Sequence, residues 1–114
     1  MSPPEASEGI RKLEDRYSGY DIVDSRDAKV GTAGGVFLDE NDQREYVEVK
    51  GGLVEQAPGT GYYLLPMELC AVDEGEETIR ASVDEDTVKN SPYLDSALAL
   101  SPEHASGVRD YYGL

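Results

Sequence analysis

The chain has 114 residues, so we expect one domain with at most a short appendage. It carries 24 acidic and 10 basic side chains, and the formal net charge of −14 argues against direct contact with nucleic acids or anionic lipid surfaces. The single cysteine excludes an intramolecular disulfide and an all-cysteine zinc site. There is neither a signal-like N-terminus nor an apolar run that could span a bilayer, so we expect no membrane insertion and a cytoplasmic protein.

The N-terminal segment, residues 1–16, is predicted to be a flexible leader followed by a short helix. Residues 1–9 are polar and contain paired prolines, which is typical of a disordered leader. Ile10, Leu13 and Tyr17 then recur at helical spacing, with charged residues between them. We therefore expect a short amphipathic helix that packs against a larger body.

A series of short strands is predicted from Tyr20 onward. They cover residues 20–24, 29–39, 45–50, 62–65, 70–72 and 78–84, with one helical turn at residues 67–69. Gly34 and Gly35 interrupt the second strand and indicate a bulge. The third strand alternates, which predicts a half-buried strand with Val47 and Val49 in the core. Short strands joined by polar turns favour an all-β barrel or sandwich over βαβ units.

Two short helices are predicted after the β pattern stops at Asp84. That residue is a suitable N-cap for a helix that runs through Val88. Ser101 followed by Pro102 predicts the start of a second helix. Its buried face would carry Ala105, Val108 and Tyr112, and Gly113 stands where a helix commonly ends.

Several segments, taken together and in order, resemble the PRC-barrel family. They are residues 19–24 (GYDIVD), 30–31 (VG), 36–39 (VFLD), 46–52 (YVEVKGG), 64–68 (LLPME), 73–75 (DEG), 79–83 (IRASV) and 91–93 (SPY). The resemblance implies an all-β fold, a small and partly open antiparallel barrel over residues 17–93. The helix predicted from Ser101 makes residues 94–114 a helical tail. The resemblance also implies a non-catalytic module that docks on other proteins. Some stand-alone members of the family are linked to stress response.

Chemically reactive side chains are few and scattered. Cys70 is interpreted as a small buried apolar residue and His104 as an exposed helix residue, and no pattern joins them into a catalytic pair. The acidic turns at residues 39–42, 73–77 and 84–86 lack the spacing of a calcium-binding loop. We interpret them as solvated turns, with weak divalent binding left open. No catalytic, cofactor-binding or metal-ligating residue is therefore predicted.

Aromatic residues are the candidate interface residues. The chain has 8 Tyr, 1 Phe and no Trp, and tyrosine is enriched at protein interfaces. Tyr62 and Tyr63 are adjacent in a strand and must point to opposite faces, so we expect one of them to leave the core. The candidate interface consists of Phe37, Tyr62, Tyr63, Tyr111 and Tyr112. Packing of these side chains beneath the terminal helices is the other interpretation.

The predicted function is a non-catalytic cytoplasmic docking or assembly module that binds a protein partner and forms a homodimer. Three alternatives stay open. The first is an adaptor in ribosome assembly or RNA processing that acts through a protein partner. The second is a role like that of the H subunit of the photosynthetic reaction centre, which is also a family member. The third is a small enzyme or metal-binding domain.

Overall fold

The computed structural model describes residues 9–13, 16–50, 61–95 and 100–114, and these ranges contain eight strands and two α-helices. The strands are β1 (Ile10–Leu13), β2 (Asp21–Val23), β3 (Lys29–Asp39), β4 (Arg44–Lys50), β5 (Gly61–Pro66), β6 (Cys70–Asp73), β7 (Thr78–Ala81) and β8 (Tyr93–Asp95). A 3-10 turn (Met67–Leu69) connects β5 to β6, and the helices are α1 (Glu85–Lys89) and α2 (Pro102–Tyr111). Pro58, Gly59 and Gly61 predict a loop over residues 53–61, and this range lies outside the described residues except for Gly61. The mainly β class is confirmed.

All eight strands belong to one sheet with the order β6-β7-β2-β3-β4-β5-β8, and β1 pairs with β3 beside this path. The pairs are antiparallel except for β2 and β7, which are parallel. The prediction of a purely antiparallel sheet is therefore wrong. A tight turn forces antiparallel pairing only between consecutive strands, and β2 and β7 are separated by a long stretch of chain.

The predicted bulge in β3 is confirmed. The pairing of β3 with β4 shifts register between Ala33 and Val36, and Gly35 adopts a φ of +123°, which other residues rarely reach. A Cβ at Gly34 would overlap the Oε1 atom of Glu48 on the neighbouring strand. The two glycines therefore have different roles. Gly35 adopts the backbone conformation that the bulge requires, and Gly34 leaves room for the carboxylate of Glu48.

The predicted N-terminal helix is wrong, because Ile10–Leu13 forms strand β1. β3 is 11 residues long, and it pairs with β2 along its first part and with β1 along its last part. The backbone hydrogen bonds to β3 and the burial of Ile10, which is 7% exposed, outweigh a helical spacing too short to be stable alone. Tyr17 has a φ of +58° and is not helical either.

Both faces of the sheet are covered, so the molecule has two apolar clusters. The first core comprises Ile22, Val30, Ala33, Val47, Val49, Tyr63, Leu65, Ile79, Ala81 and Val88 of α1. The second core comprises Ile10, Phe37, Tyr46, Tyr62, Leu64, Leu94, Leu100 and, from α2, Ala105 and Val108. The burial of Val47 and Val49 is confirmed, but β4 is not half-buried. Its opposite face carries Tyr46 and Glu48, each only 1% exposed, because the second core covers that face.

The helix starts follow their predicted caps. Asp84 accepts a hydrogen bond from the Thr87 amide at 2.9 Å, and Ser101 accepts one from the His104 amide at 3.2 Å. β8 was not predicted, since its three residues are too few to show a period and the strand forms by pairing with β5.

Candidate interaction surface

Three of the five predicted interface side chains lie inside the molecule. Phe37 and Tyr62 stack in the second core with ring centroids 5.7 Å apart, and Tyr63 meets Tyr93 at 5.2 Å beside the first core. Tyr62 and Tyr63 therefore point to opposite faces, as predicted. The expectation that one of them leaves the core is wrong, because each face of the sheet has its own apolar cover. Phe37 is likewise buried.

Tyr111 is an exposed aromatic ring that is already held in place. It lies at the end of α2 and is 40% exposed. Its hydroxyl donates a hydrogen bond to the Thr87 carbonyl of α1 at 2.6 Å, and its ring meets that of Tyr112 edge-on at 4.9 Å. Tyr112 packs against both cores, and burial raises its pKa to about 12. Of the predicted interface residues, Tyr111 is thus the one that offers a fixed apolar surface to a partner.

A carboxylate shared by two arginines anchors α2 to the sheet. Nη1 of Arg109 in α2 donates a hydrogen bond to Oε1 of Glu68 at 2.9 Å, and Nη2 forms an ion pair with Oε2 at 2.9 Å. Arg44 of β4 donates to the same carboxylate, also at 2.9 Å. The hydrogen bond from Arg109 holds the pKa of Glu68 below its usual value. Sequence reasoning missed this link, because its three members are far apart in the chain and lack any local pattern.

A second aromatic site, also missed from the sequence, lies where Tyr17 and Tyr20 form one side of a groove of about 460 Å³. Arg16 and Glu74 complete its lining. The Tyr17 and Tyr20 ring centroids are 5.4 Å apart, with the rings tilted by 48°. Tyr17 was assigned to the predicted N-terminal helix because of its spacing from Ile10 and Leu13. The sequence Tyr-Ser-Gly-Tyr at residues 17–20 could instead have indicated a turn.

The two residues considered for catalysis are both partly buried. Burial raises the pKa of the Cys70 thiol to about 12, so the thiol keeps its proton and is a poor nucleophile at neutral pH. Its Sγ lies 3.6 Å from the Pro66 carbonyl. His104 is half-buried rather than exposed, and burial lowers its pKa. Within the described part of the chain, these two side chains do not form a hydrogen bond with each other.

The acidic turns use several of their carboxylates to hold backbone amides. Asp39 is 6% exposed and accepts from the Asn41 amide at 3.0 Å, and Asp73 accepts from the Glu76 amide at 3.1 Å. Asp84 is the N-cap of α1. Across the described ranges, no three His, Cys, Asp or Glu side chains converge in a way that could hold a metal ion.

Comparison with protein families gives one match. The model of the PRC-barrel domain matches residues 15–88, which is more than half of the chain and runs from before β2 into α1. No curated protein matches the chain. In the described residues, no helix is long and apolar enough to cross a membrane.

Proposed function

The chain belongs to the PRC-barrel domain family, and on that premise we propose that it is a non-catalytic protein-interaction module of the cytoplasm. The proposal takes the eight-stranded sheet as a partly open barrel, the shape that membership of the family implies. The partner is a protein, and one such partner is a second copy of this chain.

The observation that carries the proposal is the fixed, exposed ring of Tyr111. Binding normally costs free energy because side chains lose rotational freedom at the interface. The hydrogen bond to Thr87 and the contact with Tyr112 restrict this ring before any partner arrives. Rigid tyrosines of this kind give large contact area at a low entropic cost and are enriched among the residues that dominate binding. Leu114, which is 44% exposed, adds apolar surface near the same end of α2.

Site-specific photo-crosslinking tests the proposal. A benzophenone amino acid replaces Tyr111 in one chain and exposed Arg11 of β1 in a control chain, and both are irradiated in native lysate. We expect one discrete adduct, with another protein or with a second copy, from position 111 and none from position 11. Equal adducts from the two positions, or no adduct from either, would contradict a docking role for Tyr111.

Light scattering tests the homodimer. We expect the mass of a dimer for the wild-type chain and that of a monomer for Tyr111→Ser. Tyr111→Phe keeps the ring but loses the hydrogen bond to Thr87, so it should dimerise more weakly than wild type. A wild-type chain that remains monomeric at millimolar concentration contradicts the homodimer, and the partner must then be a different protein.

A further inference from the structure

We infer that the groove between Tyr17, Tyr20 and Glu74 binds an arginine side chain of a basic segment in a partner protein. This inference rests on the proposed function, because it names the chemistry of the partner and the place where it binds. The groove is separate in sequence from Tyr111 and uses none of the residues that hold that ring.

The turn that carries the two tyrosines is pinned to the sheet. The Tyr20 amide donates to the Tyr17 carbonyl at 3.0 Å, which closes the turn. The Gly19 amide donates to the Ala33 carbonyl, and the Ala33 amide donates to the Tyr20 carbonyl, both at 2.8 Å. Tyr17 keeps a left-handed backbone with a φ of +58°, which is unusual for an aromatic residue. The backbone that carries the two rings is therefore held in place before any ligand binds.

The electrostatics of the groove favour a cation. Burial and, after it, the charges of Glu74 and Glu77 raise the pKa of Tyr20, so both carboxylates act on its ring. All ten Lys and Arg residues lie within the described ranges, and none of them forms an ion pair with Glu74. Arg16 lines the groove, but its guanidinium is bonded to Glu45. The carboxylate of Glu74 is therefore available to pair with a cationic ligand.

Arginine fits this combination better than any other protein side chain. A guanidinium stacks on the face of an aromatic ring and at the same time donates hydrogen bonds to a carboxylate. The groove supplies two tyrosine rings and one carboxylate, and its volume of about 460 Å³ is ample for one side chain with its flanking backbone. A chain with a formal net charge of −14 also attracts a basic segment at long range.

Titration of the isotope-labelled full chain with a five-residue peptide that alternates glycine with arginine tests the inference by NMR. We expect saturable shifts of the amides of residues 17–20 and of Glu74. The matched peptide with glutamate in place of arginine gives none. No saturable shift with the arginine peptide overturns the inference.

Two variant pairs decide whether the groove itself binds. Glu74→Gln should weaken peptide binding about three-fold, the effect of one exposed charge pair, while Glu76→Gln in the same hairpin but outside the groove changes it less. Tyr20→Leu should weaken binding by a similar factor, and Tyr20→Phe, which keeps the ring, should not. Equal weakening by Glu74→Gln and Glu76→Gln overturns the inference in favour of diffuse charge attraction.

Because Tyr20 also packs against the first core, the glutamate pair carries the test if Tyr20→Leu fails to fold. The outcome is distinguishable from that of the docking proposal. An adduct at position 111 without binding of the arginine peptide overturns the groove alone. Peptide binding without an adduct at position 111 overturns the Tyr111 contact alone.

Discussion

A single buried carboxylate, that of Asp24, joins two segments of backbone that are distant in sequence. Asp24 is 2% exposed, and its Oδ1 accepts from the amides of Arg26 at 2.8 Å and Ala28 at 2.9 Å. Its Oδ2 accepts from the amide of Glu85 at 2.9 Å. Burial acts to raise the pKa of this carboxyl, but the three backbone hydrogen bonds outweigh it and lower the pKa. The charged form of Asp24 therefore ties the turn between β2 and β3 to the start of α1.

Asp24→Asn should make stability less dependent on pH in the acid range. A carboxyl whose pKa is lower in the folded than in the unfolded chain stabilises the fold above its unfolded pKa of about 4. That stabilisation disappears as the pH falls through the folded pKa. We expect the free energy of unfolding of wild type to exceed that of Asp24→Asn at pH 7, with a gap that closes below about pH 4. Denaturant unfolding from pH 2.5 to 7 measures the gap, with exposed Glu40→Gln as the control for loss of one charge. A gap independent of pH would contradict the assignment.

A buried glutamate on β4 explains why β3 needs a residue without a side chain. Glu48 is 1% exposed, and its carboxylate lies 2.8 Å from the Nζ of Lys50 and 3.5 Å from that of Lys12. A Cβ at Gly34 would overlap this carboxylate and lie 2.9 Å from the side chain of Lys50. The absence of a side chain at Gly34 is therefore what gives the Glu48 carboxylate room to form its ion pairs.

The double-mutant cycle of Gly34 and Glu48 should show strong coupling. Gly34→Ala should cost about 1–3 kcal/mol of unfolding free energy through overpacking. Glu48→Ala should cost about 1–3 kcal/mol, because it removes a buried carboxylate together with its ion pair to Lys50. The double variant should be at least about 1 kcal/mol more stable than the sum predicts, since each change relieves the other. Gly107→Ala in α2, where a Cβ meets only open space, should instead stabilise by about 0.5–1 kcal/mol. Additive costs at Gly34 and Glu48 would contradict the steric explanation.

At the level of elements, the sequence predicted the features that depend on neighbouring residues, and it missed the strands that depend on pairing with distant ones. The bounds of β3, its bulge and the N-cap of α2 follow from the polar turns on either side of the strand, paired glycines and a Ser-Pro start. β1 and β8 were not predicted, because four and three residues acquire strand geometry only by pairing with β3 and β5. The same reason explains the error at Tyr62 and Tyr63. Alternation placed them on opposite faces, but only tertiary structure shows that a helix covers the second face.

The fork of Arg109 on Glu68 should control how tightly α2 is held. Arg109→Lys keeps the charge but cannot donate two parallel hydrogen bonds to one carboxylate. The Arg109 side chain is 16% exposed, so we expect a loss of about 1 kcal/mol, seen as roughly five-fold faster hydrogen exchange of the α2 amides. Arg11→Lys, at an exposed position of β1, is the matched control and should leave α2 unchanged. Unaltered exchange in Arg109→Lys would show that apolar packing alone holds the helix.

At the scale of the whole molecule, charge opposes the fold that packing stabilises. A formal net charge of −14 on a chain with a radius of gyration of 12.9 Å places like charges within a Debye length of one another at low salt. Most of the ion pairs within the described ranges have an exposed member, and such pairs contribute little individually. Salt screens both the repulsion among the carboxylates and the attraction within the exposed ion pairs. We expect the repulsion to be the larger of the two.

Raising the NaCl concentration from 0.05 to 1 M should thus raise the thermal midpoint rather than lower it. The screening length falls to about 3 Å at 1 M, which removes most of the repulsion between exposed carboxylates. We expect a rise of about 5 °C, the shift that about 1 kcal/mol makes in a domain of this size. The double variant Glu40→Lys, Glu76→Lys replaces two exposed acids and should show a smaller rise with a higher midpoint at low salt. KCl at equal ionic strength separates screening from an effect of sodium itself. A midpoint that falls with salt would show that the ion pairs, and not the net charge, dominate the electrostatics of this fold.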